Sequence, residues 1–278
     1  MASLNDLQPG VMFWTGRDHV AEMKQLGVRC GQLGVDPSFE FSDSATEDWR
    51  AALAQEQFTL VTVFAAYAGE SYADIPTVQR TVGFIPRETR LERFERTCAL
   101  SDFAAALGVS SIACHIGFVP EDREHADYIE VRELVRRVCD YAAKHGQKFA
   151  LETGQEPAAV LLDFLRDVDR DNIAINFDPA NMILYGTGDP VEALGVLGRQ
   201  VISVHCKDGL WPPKDKPEAL GTEVPLGTGA VGMERFIAKL KEVGFRGPLN
   251  VEREAENQQD RLRDMGAGVA LLKRLLTV

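Results

Sequence analysis

Histidine and cysteine are both scarce, at five each in 278 residues. The cysteines, Cys30, Cys98, Cys114, Cys139 and Cys206, are scattered and form no CxxC pair. That excludes a disulfide-stapled scaffold and a thiolate zinc ribbon, and it reads as reduced, mostly buried thiols in a cytoplasmic protein. Basic residues are the minority, 30 Lys+Arg against 42 Asp+Glu, for a formal net charge of -12. This balance argues against nucleic-acid and anionic-membrane partners. No apolar run is long enough to span a bilayer, and the opening MASLNDLQPG lacks the basic-then-apolar order of a signal peptide. Low-complexity tracts and linkers are missing too. With 45% apolar and 26% charged residues a full core is available, and one domain over 1–278 is expected.

What is present is alternation. Short apolar runs rich in β-branched residues recur: PGVMFW, VRCGQLGV, FTLVTVFAA, SSIACHIGF, KFALETG, IAINFDP, VISVHCKD and GPLNVERE. Each is followed by a helical pattern, from HVAEMKQLG to DRLRDMGAGVALLKRLL. Several of these patterns stop at glycine, at Gly27, Gly108, Gly146 and Gly244, the residue suited to a helix C-cap. Strand–helix alternation demands a parallel sheet, and eight units in this length suit a closed (β/α)₈ TIM barrel. A doubly wound sheet would usually open on a glycine-rich phosphate loop, and none is found. One long stretch, 67–87, has no clear pattern. It follows the third strand and is expected to cover a site, with Tyr67, Tyr72, Phe84 and Arg87 available to close over a ligand.

In a barrel the chemistry sits at the C-terminal strand ends. There strand five presents Glu152 (LETGQE) and strand six presents Asp178 and Asn181 (NFDPAN). Strand seven presents His205, Lys207 and Asp208, and strand eight presents Glu252 and Glu254 (NVEREAE). Three carboxylates and one imidazole stand on four successive strands, and the three like charges repel unless a cation neutralises them. Glu152, Asp178, His205 and Glu252 are therefore expected to hold a divalent metal. Oxygen-rich donors suit Mn²⁺ first, with Mg²⁺ or Co²⁺ as alternatives. Cys206 points away from His205 and is not counted among the ligands. His115 is either a core residue or a substrate ligand. Lys207 shares a side with His205 and faces either the site or solvent. Glu254 either orients Lys207 or lies past the strand, Asn181 either touches substrate or caps a turn, and Trp14 is either a sugar-stacking wall or core.

The ordered set LETGQE, NFDPAN, VHCKDG, PLGTGAVG and NVERE resembles the xylose isomerase-like TIM barrel superfamily over nearly the whole chain. The resemblance implies metal ligation by Glu152, Asp178, His205 and Glu252, with Glu152 and Glu252 also moving the proton. It implies a sugar or polyol substrate and a metal-dependent sugar isomerase or epimerase working through an enediolate. The ketose 3-epimerase branch often has a histidine where this chain has Asn181, and an arginine where it has Trp211. The alternatives are a dehydratase or lyase on a cyclic keto-polyol or keto-glycoside, and a non-catalytic metal-dependent sugar-binding protein. An obligatory phosphate is not expected on the substrate, although GTGAVG at 227–232 offers a loop that could hold one. Assembly as a homo-oligomer is left open.

Overall fold

The computed structural model describes residues 6–216 and 218–277. Eight parallel strands close into one barrel: β1 (Gln8–Trp14), β2 (Cys30–Val35), β3 (Thr59–Ala65), β4 (Ser111–Cys114), β5 (Lys148–Glu152), β6 (Ile173–Phe177), β7 (Val201–Cys206) and β10 (Pro248–Val251). They stand in chain order around the ring, and β10 pairs with β1 to close it. The eight sequence-predicted strands are these eight. The GTEV region adds an antiparallel hairpin of β8 (Asp208–Leu210) and β9 (Thr222–Val224).

Alternation along each strand sorts the side chains into two cores. Val11, Phe13, Val63, Ile112, Phe149, Leu151, Ile175, Phe177, Val204, Cys206 and Val251 face the surrounding helices. Met12, Phe64, Ala113, Ala150 and Ala174 face the lumen. The same parity sends Glu152, His205, Lys207 and Glu252 inward, and places Cys206 outward as expected. The lumen alanines are small, so space remains there for polar side chains.

The helical layer is α1 (Val20–Gln25), α2 (Asp43–Glu56), α3 (Ile75–Thr81), α4 (Arg90–Ala106), α5 (Ala126–Ala143), α6 (Ala158–Val168), α7 (Pro179–Tyr185), α8 (Pro190–Leu197), α9 (Met233–Glu242) and α10 (Gln258–Leu276). Gly108 and Gly146 take φ of +74° and +65° just beyond α4 and α5, the left-handed conformation that the predicted C-caps require. Among the described residues there are ten helices, two beyond the expected eight. The stretch 67–87 is not irregular: it contains α3, capped by the Asp74 side chain on Thr77 N at 2.7 Å. The other is α7, started by Asp178 and Pro179. Among the described residues no helix is long and apolar enough to cross a membrane.

Candidate metal centre

Glu152 is the last residue of β5, and Asp178 stands one past β6. His205 is the penultimate residue of β7, and Glu252 directly follows β10. One ligand atom from each lies within 4.8 Å of all the others. All four are buried, Asp178 at 0% and Glu252 at 8% exposure. His205 Nδ1 is 2.8 Å from both Glu152 Oε1 and Glu252 Oε2, and 3.9 Å from Asp178 Oδ2. One ring N–H serves only one of these carboxylates well. Asp178 Oδ2 and Glu252 Oε2 are left buried with no hydrogen-bond donor. Buried lone pairs that converge without donors are costly, and a divalent cation satisfies them together. The residues present therefore fit a divalent metal.

A layer behind the ligands orients them. His205 Nε2 lies 3.0 Å from Gln32 Oε1, so the proton of the neutral ring belongs on Nε2, and loss of the second proton leaves the Nδ1 lone pair for a metal. Gln32 Nε2 donates to Asn176 Oδ1 at 3.0 Å, and Ser203 Oγ donates to the same oxygen. These amides fill the space that the lumen alanines leave. Asp178 divides its work: Oδ1 accepts from Ala180 N (2.8 Å) and Asn181 N (3.1 Å) to cap α7, and Oδ2 turns to the cluster.

Burial pushes the Glu152 carboxyl up, but the adjacent His115 and His205 more than offset this and hold it low. Burial likewise pushes Glu252 up, and Lys207 and His205 bring it down further. Asp178 goes the other way, because burial and the Glu252 and Glu152 charges outweigh Lys207. The His205 imidazole is pushed down by burial but raised well above its ordinary value by Glu252 and Glu152. Near neutral pH the metal-free cluster thus keeps a proton on His205, and Asp178 holds one more readily than a free aspartate. Metal ligation needs both groups deprotonated. Mn²⁺ uptake is expected to release at least one proton and to weaken as pH falls from 8 to 6. Calorimetry in buffers of different ionisation enthalpy reads this directly. Uptake with no proton release contradicts the assignment of His205 as a ligand.

The structure brings the other sequence-predicted residues to the same place. His115 Nε2 sits 2.8 Å from Glu152 Oε2, and Asn181 Nδ2 is 3.4 Å from Glu152 Oε1. Lys207 Nζ lies 3.5 Å from Glu252, 3.8 Å from Asp178 and 3.8 Å from Glu223. Trp14 lines the cavity over the cluster, which has a volume of about 430 Å³. Phe64, Tyr72, Leu184, Tyr185 and Leu220 share that wall, and Glu70, Glu223 and Glu254 supply further carboxylates. The ion pairs of Lys207 run to Glu252, Asp178 and Glu223, and Glu254 acts on it only from a distance. Glu254 lies past the strand, where Arg17 (2.7 Å) and Trp14 Nε1 (3.1 Å) hold it.

Three of the four residues offered by 67–87 do not line this cavity. Tyr67 is buried against Thr97, Phe84 is in the core, and Arg87 pairs with Asp127 at the start of α5. Only Tyr72 of that set reaches the cavity. Glu70, Glu223, Gln32 and Asn176 were not read from sequence. Gln32 and Asn176 had a signal, a lone amide inside an apolar strand run; Glu223 had none.

Glu156, the second glutamate of LETGQE, lies off the site in a small apolar cavity with Val119, Tyr128 and Phe164. Its carboxyl accepts from Val119 N at 2.9 Å, and burial raises it to about 7. A carboxyl raised on folding stabilises fully below its unfolded value, and that contribution is lost as pH rises through about 7. The loss is on the order of 2–3 kcal/mol. Glu156→Gln keeps an oxygen for Val119 and removes the charge. It is expected to unfold at a higher temperature than the parent at pH 8 and at nearly the same temperature at pH 5. Equal melting at pH 8 counts against this.

With the fold and cluster in place, the chain can be set beside known proteins. It belongs to the Xylose isomerase-like TIM barrel family, whose sequence pattern matches residues 20–275. It is similar to the crystal structure of a Xylose isomerase domain protein from Planctomyces limnophilus, at 41% identity over 97% of each chain and a TM-score of 0.94. Among curated relatives it is 27% identical to an inosose isomerase of Bacillus velezensis over 130 residues, 43% of this chain and 44% of that one. It is also 27% identical to an L-ribulose 3-epimerase of Methylomonas sp. over 167 residues, 55% of this chain and 52% of the other. The match thus spans about half the length of these curated relatives.

Proposed function

We propose that the protein is a divalent-metal-dependent sugar isomerase or epimerase acting on a keto-sugar, with Mn²⁺ as the preferred metal. The observation that carries this reading is the pair Glu152 and Glu252, set on either side of His205 at 2.8 Å each and opening into one cavity. Glu152, Asp178, His205 and Glu252 would hold the metal, which when bound supplies a Lewis acid to the substrate carbonyl. The proton on the neighbouring carbon then becomes removable. One of the two glutamates takes it, and the other serves the opposite side of the substrate. His115, on Glu152 Oε2, keeps that carboxylate oriented and ionised. Trp14 offers an indole for the apolar side of a sugar ring. Returning the proton to the other face epimerises; returning it to the adjacent carbon isomerises.

The substrate is unphosphorylated in this reading. Barrel phosphate sites use loops after the last two strands. Here the loop 227–232 spends its N–H groups on Asp208, which accepts from Gly227 (2.9 Å), Gly229 (3.0 Å) and Val231 (3.1 Å). A resident carboxylate fills the place of an anion. A second reading, dehydration of a cyclic keto-polyol, is favoured by Asn181 at the cavity where ketose 3-epimerases often carry histidine, and by Trp211, half-exposed and off the cavity lining.

The test is a screen of ketohexoses, 2-keto-myo-inositol and keto-glycosides, free and phosphorylated, with added Mn²⁺ in deuterated water. Deuterium incorporation into a free sugar with product formation supports the reading. Loss of water from the inositol supports the second one. No exchange into any member by metal-loaded protein leaves a sugar-binding role and overturns both.

A further inference from the structure

Among the described residues, Lys207 is the one cationic side chain lining the cavity besides the two histidines. A buried ammonium is costly unless its charge is matched and its donors are used. The charge is matched by Glu252, Asp178 and Glu223. The donors are poorly used: the contacts run from 3.5 to 3.8 Å, longer than charge-assisted hydrogen bonds, and the one to Glu252 is a hydrogen bond only at its limit. Lys207 has three N–H donors and lines the cavity beside the ligand cluster. Of its three carboxylate neighbours, Asp178 and Glu252 belong to that cluster. Glu223 stands outside it, on β9, and it is fixed. Its Oε1 accepts from Arg253 Nη1 and from Glu254 N, both at 2.9 Å, while Arg253 is pinned in turn by Asp264 at 3.0 Å. Glu223 therefore cannot swing away, and its Oε2 is left facing Lys207.

We infer that Lys207 is a further catalytic residue, a fixed cation that donates to the substrate oxygen on which negative charge develops, and that Glu223 is the positioning residue that aims it. The inference rests on the proposed reading of the site as one that stabilises an enediolate. A preorganised donor of this kind acts on charge that appears during the reaction and matters little to a neutral ligand.

The test loads wild-type protein and the K207M and E223Q variants with Mn²⁺ and verifies metal content. Calorimetry then measures binding of glycolohydroxamate, an anionic mimic of a two-carbon enediolate, and of xylitol, a neutral polyol. Wild type is expected to prefer the mimic. K207M should lose about 10- to 100-fold on the mimic, the scale of one hydrogen bond to a charged group, and under about threefold on xylitol. Its Mn²⁺ affinity should not fall, because a like charge has left the site. E223Q should lose part of the mimic affinity, and adding it to K207M should cost nothing more. If K207M does not fold, K207Q is held to the same figures. Wild type that prefers the mimic while K207M keeps that preference overturns the assignment alone. Metal-loaded wild type with no preference overturns the enediolate reading and the assignment with it.

Discussion

Glu152→Gln and Glu252→Gln, each loaded with Mn²⁺, are expected to turn over at least about 10²-fold more slowly than the parent on the keto-sugar found by the screen. Glutamine keeps the size and one ligating oxygen but cannot carry the proton. Both carboxylates are held in the ionised form by their neighbours, Glu152 by His115 and His205, Glu252 by Lys207 and His205, so each is available to accept. Metal content must be read in the same samples, because each substitution also removes a charge from the cluster. Wash-out of deuterium from the carbon beside the carbonyl adds direction. A variant that still exchanges that hydron without forming product retains the base and has lost the acid. A variant that holds metal and turns over near the parent rate makes its glutamate a scaffold residue. Glu254, tied to Arg17 and Trp14 at the cavity, would then be the next carboxylate to change; Glu156, in a separate cavity, would not.

The parts of this site that the sequence made legible are those tied to strand periodicity. Parity along β5, β7 and β10 decides that Glu152, His205, Lys207 and Glu252 face inward, and barrel order decides that they meet. Glu223 was illegible because its role depends on how the hairpin β8–β9 folds back, and strands of three residues carry no pattern of their own. The two unexpected helices did carry a signal. An aspartate cap with proline in the first turn opens both α3 and α7, and that is a helix start. The same α3 explains why Tyr67, Phe84 and Arg87 were misplaced. A short helix takes up a third of the stretch and sends its flanks into the core and toward α5, where a bare loop would have left them over the cavity.

The seam between β1 and β10 is where the largest loss of stability is expected. Parallel pairing alone closes the barrel there, from Gln8 opposite Pro248 to Val11 opposite Val251. Beyond it the chain adds a buried ion pair. Asp18 and Arg261 are 2% and 0% exposed, and their groups meet in parallel, Nη1 to Oδ1 at 2.6 Å and Nη2 to Oδ2 at 3.0 Å. Asp18 also accepts from Trp14 N (2.8 Å) and Gln258 (2.9 Å), and Arg261 Nε donates to Arg253 O at 2.9 Å. The pair thus binds the turn after β1 to α10 and to the residue next to Glu252. Removing one partner leaves the other charged and buried, at a cost of about 3–5 kcal/mol. Asp18→Ala is expected to lower the unfolding free energy by that amount in urea titration. The double substitution Asp18→Ala with Arg261→Met should recover much of it, since an apolar pair leaves no orphaned charge. The two variants also separate stability from function. Both lose the anchor on Trp14 N, and the double variant also loses the one on Arg253 O, so the double variant should bind Mn²⁺ more weakly than the parent even where it is stable. A single substitution that costs under about 1 kcal/mol would show that the ion pair is not what closes the seam.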